Sequence, residues 1–119
     1  MAAPNLQSPI SVTLKALVAT LGTASTTVLA NAASSGKAIK LSSVVVANND
    51  TASAVAVTVQ LSSGTVSFSI CNAVSVPAKA SLLVVSRDNP VYLTEDTTVK
   101  AFASAAAKLD VTGAYEEIT

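Results

Sequence analysis

The sequence predicts an all-β chain: a single antiparallel β-sandwich of about eight strands behind an extended N-terminal arm. Three observations carry that expectation. The 119 residues include 17 Val and 13 Thr against two Phe, two Tyr and no Trp, and β-branched side chains fit a pleated, half-buried surface. Apolar and polar residues alternate with period two, most plainly Val55, Val57, Val59 and Leu61 against Ala54, Ala56, Thr58 and Gln60. Turn-forming residues separate such runs about every 10–12 residues, the spacing of a sandwich or barrel. A chain of this length supports one domain with one modest core, and its 22 Ala make that core one of small aliphatics.

Residues 1–11, MAAPNLQSPIS, carry Pro4 and Pro9 and no periodicity, and read as an extended arm ahead of a sandwich domain at 12–119. Residues 11–20 fit two patterns. Val12, Leu14 and Ala16 alternate as in a strand, whereas Leu14, Leu17, Val18 and Leu21 fit a helix; strand is favoured. A short strand follows at 25–31, then a turn at 32–37 in which Gly36 can take positive φ. The strand at 37–48 places Ile39, Leu41 and Val45 on one face and Val44 and Val46 on the other, so its second half is expected to be covered on both sides. A polar turn leads into the alternating strand at 54–61, with Val55, Val57, Val59 and Leu61 toward the core. Gly64 centres the next turn, and Val66, Phe68 and Ile70 point inward from the strand after it. Pro77 breaks the ladder at an edge or corner. Strands at 81–86, 91–93, 97–103 and 108–118 close the chain, joined by turns at 87–90 and 94–97. Residues 103–108 have room for only one helical turn.

The catalytic vocabulary is sparse. The chain has no His, so it lacks the imidazole base of a Ser-His pair and the usual zinc ligand. The four Gly stand apart and form no phosphate-cradling loop. Carboxylates appear in three places: Glu95 and Asp96 with nearby Asp88 could bind a hard cation but are equally explained as turn residues, Asp50 fits a turn, and Glu116-Glu117 are expected to face solvent or a partner. The single cysteine, Cys71, excludes an intrachain disulfide and reads as a small buried residue. We therefore expect no enzyme, no cofactor and no metal. Seven basic and seven acidic side chains leave no net charge and no basic footprint, which disfavours nucleic acid. No apolar run reaches the ~18 residues of a membrane span. The apolar stretch ending in Ala30-Asn31-Ala32 lacks the basic flank of a signal peptide, and the chain reads as soluble and unprocessed. Asn49-Asp50-Thr51 matches a glycosylation acceptor, by chance in a chain read this way.

A surface so poor in charge repels its neighbours weakly and points to life inside an assembly, including homo-oligomers. The arm has only Met1, Leu6 and Ile10 as large apolar anchors, too few to offset its own ordering cost of ~1–2 kcal/mol per residue. Pro4, Leu6, Pro9 and Ile10 are thus expected to dock on another chain. Tyr92 and Tyr115 are expected at a core or an interface, where tyrosine is enriched.

The stretch TTVLANAASSGKAIKLSSVVVANNDTASAVAVTVQL, residues 26–61, resembles a group of small β-sandwich virion proteins of tailed bacteriophages. The shared pattern is a strand, a Gly-Lys turn, a strand ending in Ala-Asn, a polar turn and an alternating strand. It continues in the corner Val76-Pro77-Ala78-Lys79-Ala80-Ser81-Leu82 and in Leu93 to Ala101, with Asp96 and Val99. The resemblance covers roughly residues 25–119 and involves strands and turns, with no catalytic motif. It implies a structural component located in the virion: a capsid decoration (cement) protein bound to the major capsid protein, or a part of the neck, tail or baseplate. A carbohydrate- or receptor-binding module is the competing expectation; it would need exposed aromatics along a groove, from Phe68, Tyr92, Phe102 and Tyr115.

Overall fold

A computed structural model describes residues 9–119. These form nine strands: β1 (Val12–Thr20), β2 (Thr26–Asn31), β3 (Ala38–Asn48), β4 (Val55–Ser63), β5 (Val66–Val76), β6 (Ser81–Val85), β7 (Val91–Leu93), β8 (Thr97–Ala103) and β9 (Leu109–Ile118). One sheet runs β1-β9-β3-β6, with β7 also on β3, and the other runs β2-β8-β4-β5. Each pairing between named strands is antiparallel. The inward faces of the two sheets close over Leu17, Leu29, Ile39, Leu41, Val44, Val46, Val55, Val57, Val59, Val76, Val99 and Val111, so the core is indeed built from small aliphatics. Among the described residues, no helix is long and apolar enough to cross a membrane.

Residues 12–20 are a strand, with its apolar faces sorted by its neighbours. Leu17, opposite Gly113 on β9, is buried, whereas Val12, Leu14, Ala16 and Val18 turn outward. The sandwich has two layers, so each sheet turns one face to the core, and on β1 that is the face of Leu17.

The phase of β3 differs from the simple alternation. Ile39 and Leu41 are buried as expected, but so are Val44 and Val46, while Val45 faces outward and is half-buried. The cause is a β-bulge. Opposite β9, the register shifts between Leu41 and Ser43, so Ser42 is an extra residue and the strand changes parity after it. The backbones approach so closely there that a Cβ on Gly113 would collide with the Ser43 carbonyl oxygen.

On β4, Val55, Val57 and Val59 are buried and Leu61 packs against the core half-buried. Thr58, of the opposite parity, is buried as well, and its Oγ1 is satisfied by the Ala73 N–H at 3.0 Å across a bulge in β5. Ala73 takes φ 50° to make that turn. The inward expectation for Val66 and Phe68 is corrected. Both have inward parity, opposite Ser63 and Leu61, yet both are exposed, and Ile70 is half-buried. β5 is the edge strand of its sheet, and in these rows burial falls away from Val99 and Thr97 on β8, across β4, to exposed Phe68 and Val66.

Turns fall where the sequence places them. Gly36 and Gly64 take φ 68° and 61°. Lys79 in the Pro77 corner and Asp96 take φ 59° and 62°.

Candidate interaction surfaces

The interior of the sandwich is closed by two buried asparagines. Asn31 ends β2, and its Nδ2 donates to the Lys37 carbonyl at 2.9 Å and to the Leu93 carbonyl, on the other sheet, at 3.0 Å. Asn48 ends β3, and its Nδ2 donates to the Ser53 carbonyl at 3.0 Å and to the Val76 carbonyl, again across the sandwich, at 2.9 Å. Each Oδ1 is also used: Ser35 Oγ donates to Asn31, and the Asp50 N–H donates to Asn48. The two Ala-Asn strand ends are therefore staples between the sheets. Among the described residues, every buried side-chain nitrogen and oxygen has a partner.

Several titratable groups are engaged in architecture. The Asp96 N–H donates to the Asn31 carbonyl at 2.9 Å, which fixes the turn that carries Glu95 and Asp96. Among the described residues, no three His, Cys, Asp or Glu side chains gather as a metal site would require. Glu117 meets Lys15 at 2.6 Å and Lys37 at 3.6 Å. The hydrogen bond from Lys15 holds its carboxyl below the usual carboxylate range, with Lys37 adding to the effect. Asp50 is lowered mainly by the Ala52 N–H, with Lys108 at 4.0 Å a lesser cause. The Cys71 thiol is half-buried, and burial pushes its pKa up, the opposite of what an activated nucleophile needs.

What remains is surface. The outward face of the five-stranded sheet carries an apolar array. In register across β1, β9, β3 and β7 lie Leu14, Glu116, Lys40 and Tyr92. The next row is Ala16, Ala114 and Ser43. Beyond it lie Val18, Thr112, Val45 and Leu83, the last on β6. Leu14 is 70% exposed, Val18 75%, Leu83 59% and Tyr92 46%. A single exposed leucine is ordinary; here four large apolar side chains stand in two outer columns that flank Glu116 and Lys40 on one sheet face. A smaller exposed pair, Val66 and Phe68, stands at the β4–β5 tip.

Of the six residues expected at an interface, Pro4 and Leu6 lie outside the described residues. Pro9 is half-buried, and Ile10 is 94% exposed. Its N–H donates to the Thr119 carbonyl at 2.6 Å, and Ser11 and Thr119 continue the exchange, which extends the β1–β9 ladder. Ile10, Val12 and Leu14 thus form one exposed apolar line leading onto the outward face of the five-stranded sheet. Tyr92 stands on that face, whereas Tyr115 packs against the core from the inner side of β9. The exposed aromatics Phe68 and Tyr92 are on different sheets. Reasoning from sequence missed the outward Leu14, Val18 and Leu83 and the two staples. The Ala-Asn endings were the available sign of the staples.

No family model matches the chain, and no curated protein matches it. Among solved structures, it is similar to the crystal structure of a pentameric capsid protein isolated from metagenomic phage sequences, at 16% identity and a TM-score of 0.43. The match covers 84% of this chain and 59% of that one, so the chain spans 59% of that protein's length.

Proposed function

We propose that this chain is a non-enzymatic structural protein of a virion, of the decoration type that stabilises a phage head by bridging capsid subunits. One observation carries the reading: the exposed apolar line Ile10, Val12, Leu14, continuous with the outer face of the five-stranded sheet. Such a surface works by being covered, gaining ~25 cal/mol per Å² of apolar area removed from water. The sparse, balanced charge lets neighbours approach, and the strand-and-turn resemblance to phage virion proteins agrees with it. In this reading the partner is the major capsid protein, the arm at residues 1–11 is the bridge, and Pro4 and Pro9 lower the entropy lost when it docks.

The test is mass spectrometry of purified virions of the phage that encodes the chain, followed by binding of the recombinant protein to its heads. The protein should be present in many copies, co-sediment with heads and raise the temperature at which they open. Deleting residues 1–11 should leave a folded sandwich that binds heads at least tenfold more weakly. Absence from virions overturns the reading, and presence only in tail fractions moves the protein from the head to the tail.

A further inference from the structure

The pattern of residues on the outward face of the five-stranded sheet is nearly palindromic. The outer columns are apolar: Leu14 and Val18 on β1, and Tyr92 and Leu83 on β7 and β6. The inner columns hold the two charges of these rows, Glu116 on β9 and Lys40 on β3, directly opposite each other in register. Cross-strand neighbours of opposite charge are placed to pair. Yet the ion pairs among the described residues are Lys15–Glu117, Lys37–Glu117 and Lys108–Asp50, and neither Lys40 nor Glu116 takes part in one.

We propose that this face pairs with the same face of a second copy, about a two-fold axis running along the strands between β9 and β3. That operation reverses the order of the columns. Glu116 of one copy then meets Lys40 of the other, twice. Leu14 meets Tyr92, Val18 meets Leu83, and Thr112 meets Val45, each also twice. Apolar columns cover apolar columns and the charges neutralise one another, the self-complementarity that an isologous interface requires. A hetero-partner of strong charge finds no matching field here, because one acid and one base cancel within the rows. The sheets would stack ~10 Å apart with their strands within about 30° of alignment, as packed sheets do.

The size of the face sets the strength. Four columns ~4.8 Å apart and three rows ~6.7 Å apart give a footprint of about 400 Å² per copy. A standard interface covers about 800 Å² per partner, so this one belongs with weak, transient pairs. It becomes effective when a scaffold holds copies close together. The inference deepens the structural reading above by naming a surface and a partner. It is tested in solution, away from any particle, so its failure is distinct from absence from a virion.

The experiment is sedimentation velocity of the full chain from ~10 µM to ~1 mM at low salt, the range in which an interface this small associates. The native protein should show a monomer–dimer equilibrium. Lys40→Glu alone and Glu116→Lys alone place like charges opposite one another in both contacts, and each should weaken dimerisation by about tenfold. The decisive sample is an equimolar mixture of the two variants. In the mixed dimer the introduced acid of one chain faces the introduced base of the other, and the native Glu116 faces the native Lys40. Dimerisation should therefore return to near the native level. A disturbance confined within one chain cannot be cured by mixing. Leu14→Ser, at an exposed position, gives a second reading that does not depend on charge and should also weaken the dimer. Methyl NMR shifts on dilution should cluster at Leu14, Val18, Val45 and Leu83. A native protein monomeric at ~1 mM overturns the proposal. So does a mixture no better than its components, and so do dilution shifts confined to the Val66–Phe68 tip.

Discussion

Replacing Asn48 with Ala tests the staple that joins the two sheets. The carboxamide donates to the Ser53 and Val76 carbonyls and accepts the Asp50 N–H. Each bond is worth about 1 kcal/mol net, but the losses are unequal. Ser53 and Asp50 lie in or beside an exposed turn and can turn to water. Val76 is fully buried beside its ladder partner Val55, so no water replaces the bond its carbonyl loses, and that loss is felt in full at about 1 kcal/mol. The sum lies between that and about 3 kcal/mol, a large share of the ~5–15 kcal/mol that separates folded from unfolded domains. For a chain of this size that lowers Tm by up to about 10 °C. Thermal unfolding followed by circular dichroism reads the shift, and urea unfolding with an unchanged slope shows that both states are otherwise alike. Asn48→Asp keeps the shape and the acceptor but loses both donors and sets a carboxylate against two carbonyl oxygens. At neutral pH it should be at least as unstable as the alanine variant. A Tm loss below about 3 °C for Asn48→Ala, or native stability for Asn48→Asp, would refute the assignment of the staple to its donated bonds.

Three further outcomes follow from the same geometry. Gly113→Ala would drive a methyl into the Ser43 backbone, so the variant should lose more than ~3 kcal/mol in urea unfolding or fail to fold, whereas Gly22→Ala, with open space around it, should still fold. Glu117 has a folded-state pKa held below its unfolded value, chiefly by the hydrogen bond from Lys15. Its stabilisation is therefore present above the unfolded carboxylate pKa of ~4.3 and is lost as pH falls below that through the lower folded value. Glu117→Gln should accordingly show a smaller stability difference between pH 7 and pH 3 than the native protein, and an equal difference would show that Glu117 does not drive the acid response. Burial raises the Cys71 thiol, so alkylation by iodoacetamide at pH 7.5 should run well below the rate of a free thiol and climb only at higher pH; a rate at or above the free thiol's would contradict this.

Much of the fold was legible because the strands are rich in β-branched residues and separated by residues with turn chemistry. Gly36 and Gly64 take the left-handed conformations their positions require. What failed to read through was parity. Ser42 adds one residue to β3 and reverses which valines face inward beyond it, and counting by twos cannot detect an insertion in the partner ladder. Gly113, a lone glycine inside a strand, marks that spot in the sequence as a close backbone approach. The other failure was coverage. Val66 and Phe68 have the correct alternation, but alternation says which side a residue points to, not whether another layer lies above it. On β1, two apolar stripes share one strand, and only the position of β9 and the second sheet decides that Leu17 is core and Leu14 is surface.

The division between core and outer face bears on function. The interior is filled by small aliphatic side chains and closed by Asn31 and Asn48, so folding draws little from the outer apolar columns. Leu14, Val18 and Leu83 are more than half exposed, and exchanging any one of them for Ser should move stability by no more than about ±0.5 kcal/mol. Large apolar groups that contribute so little to the fold oppose solubility, and a surface with few charges does nothing to offset them. One such residue would need no explanation. Two columns of them, set symmetrically about an acid and a base that leave each other unpaired, amount to a pattern that a second face can satisfy. Under the proposed pairing, the outer face acts on association and the core on stability. That separation allows variants of the face to be read as changes in assembly without the ambiguity of unfolding.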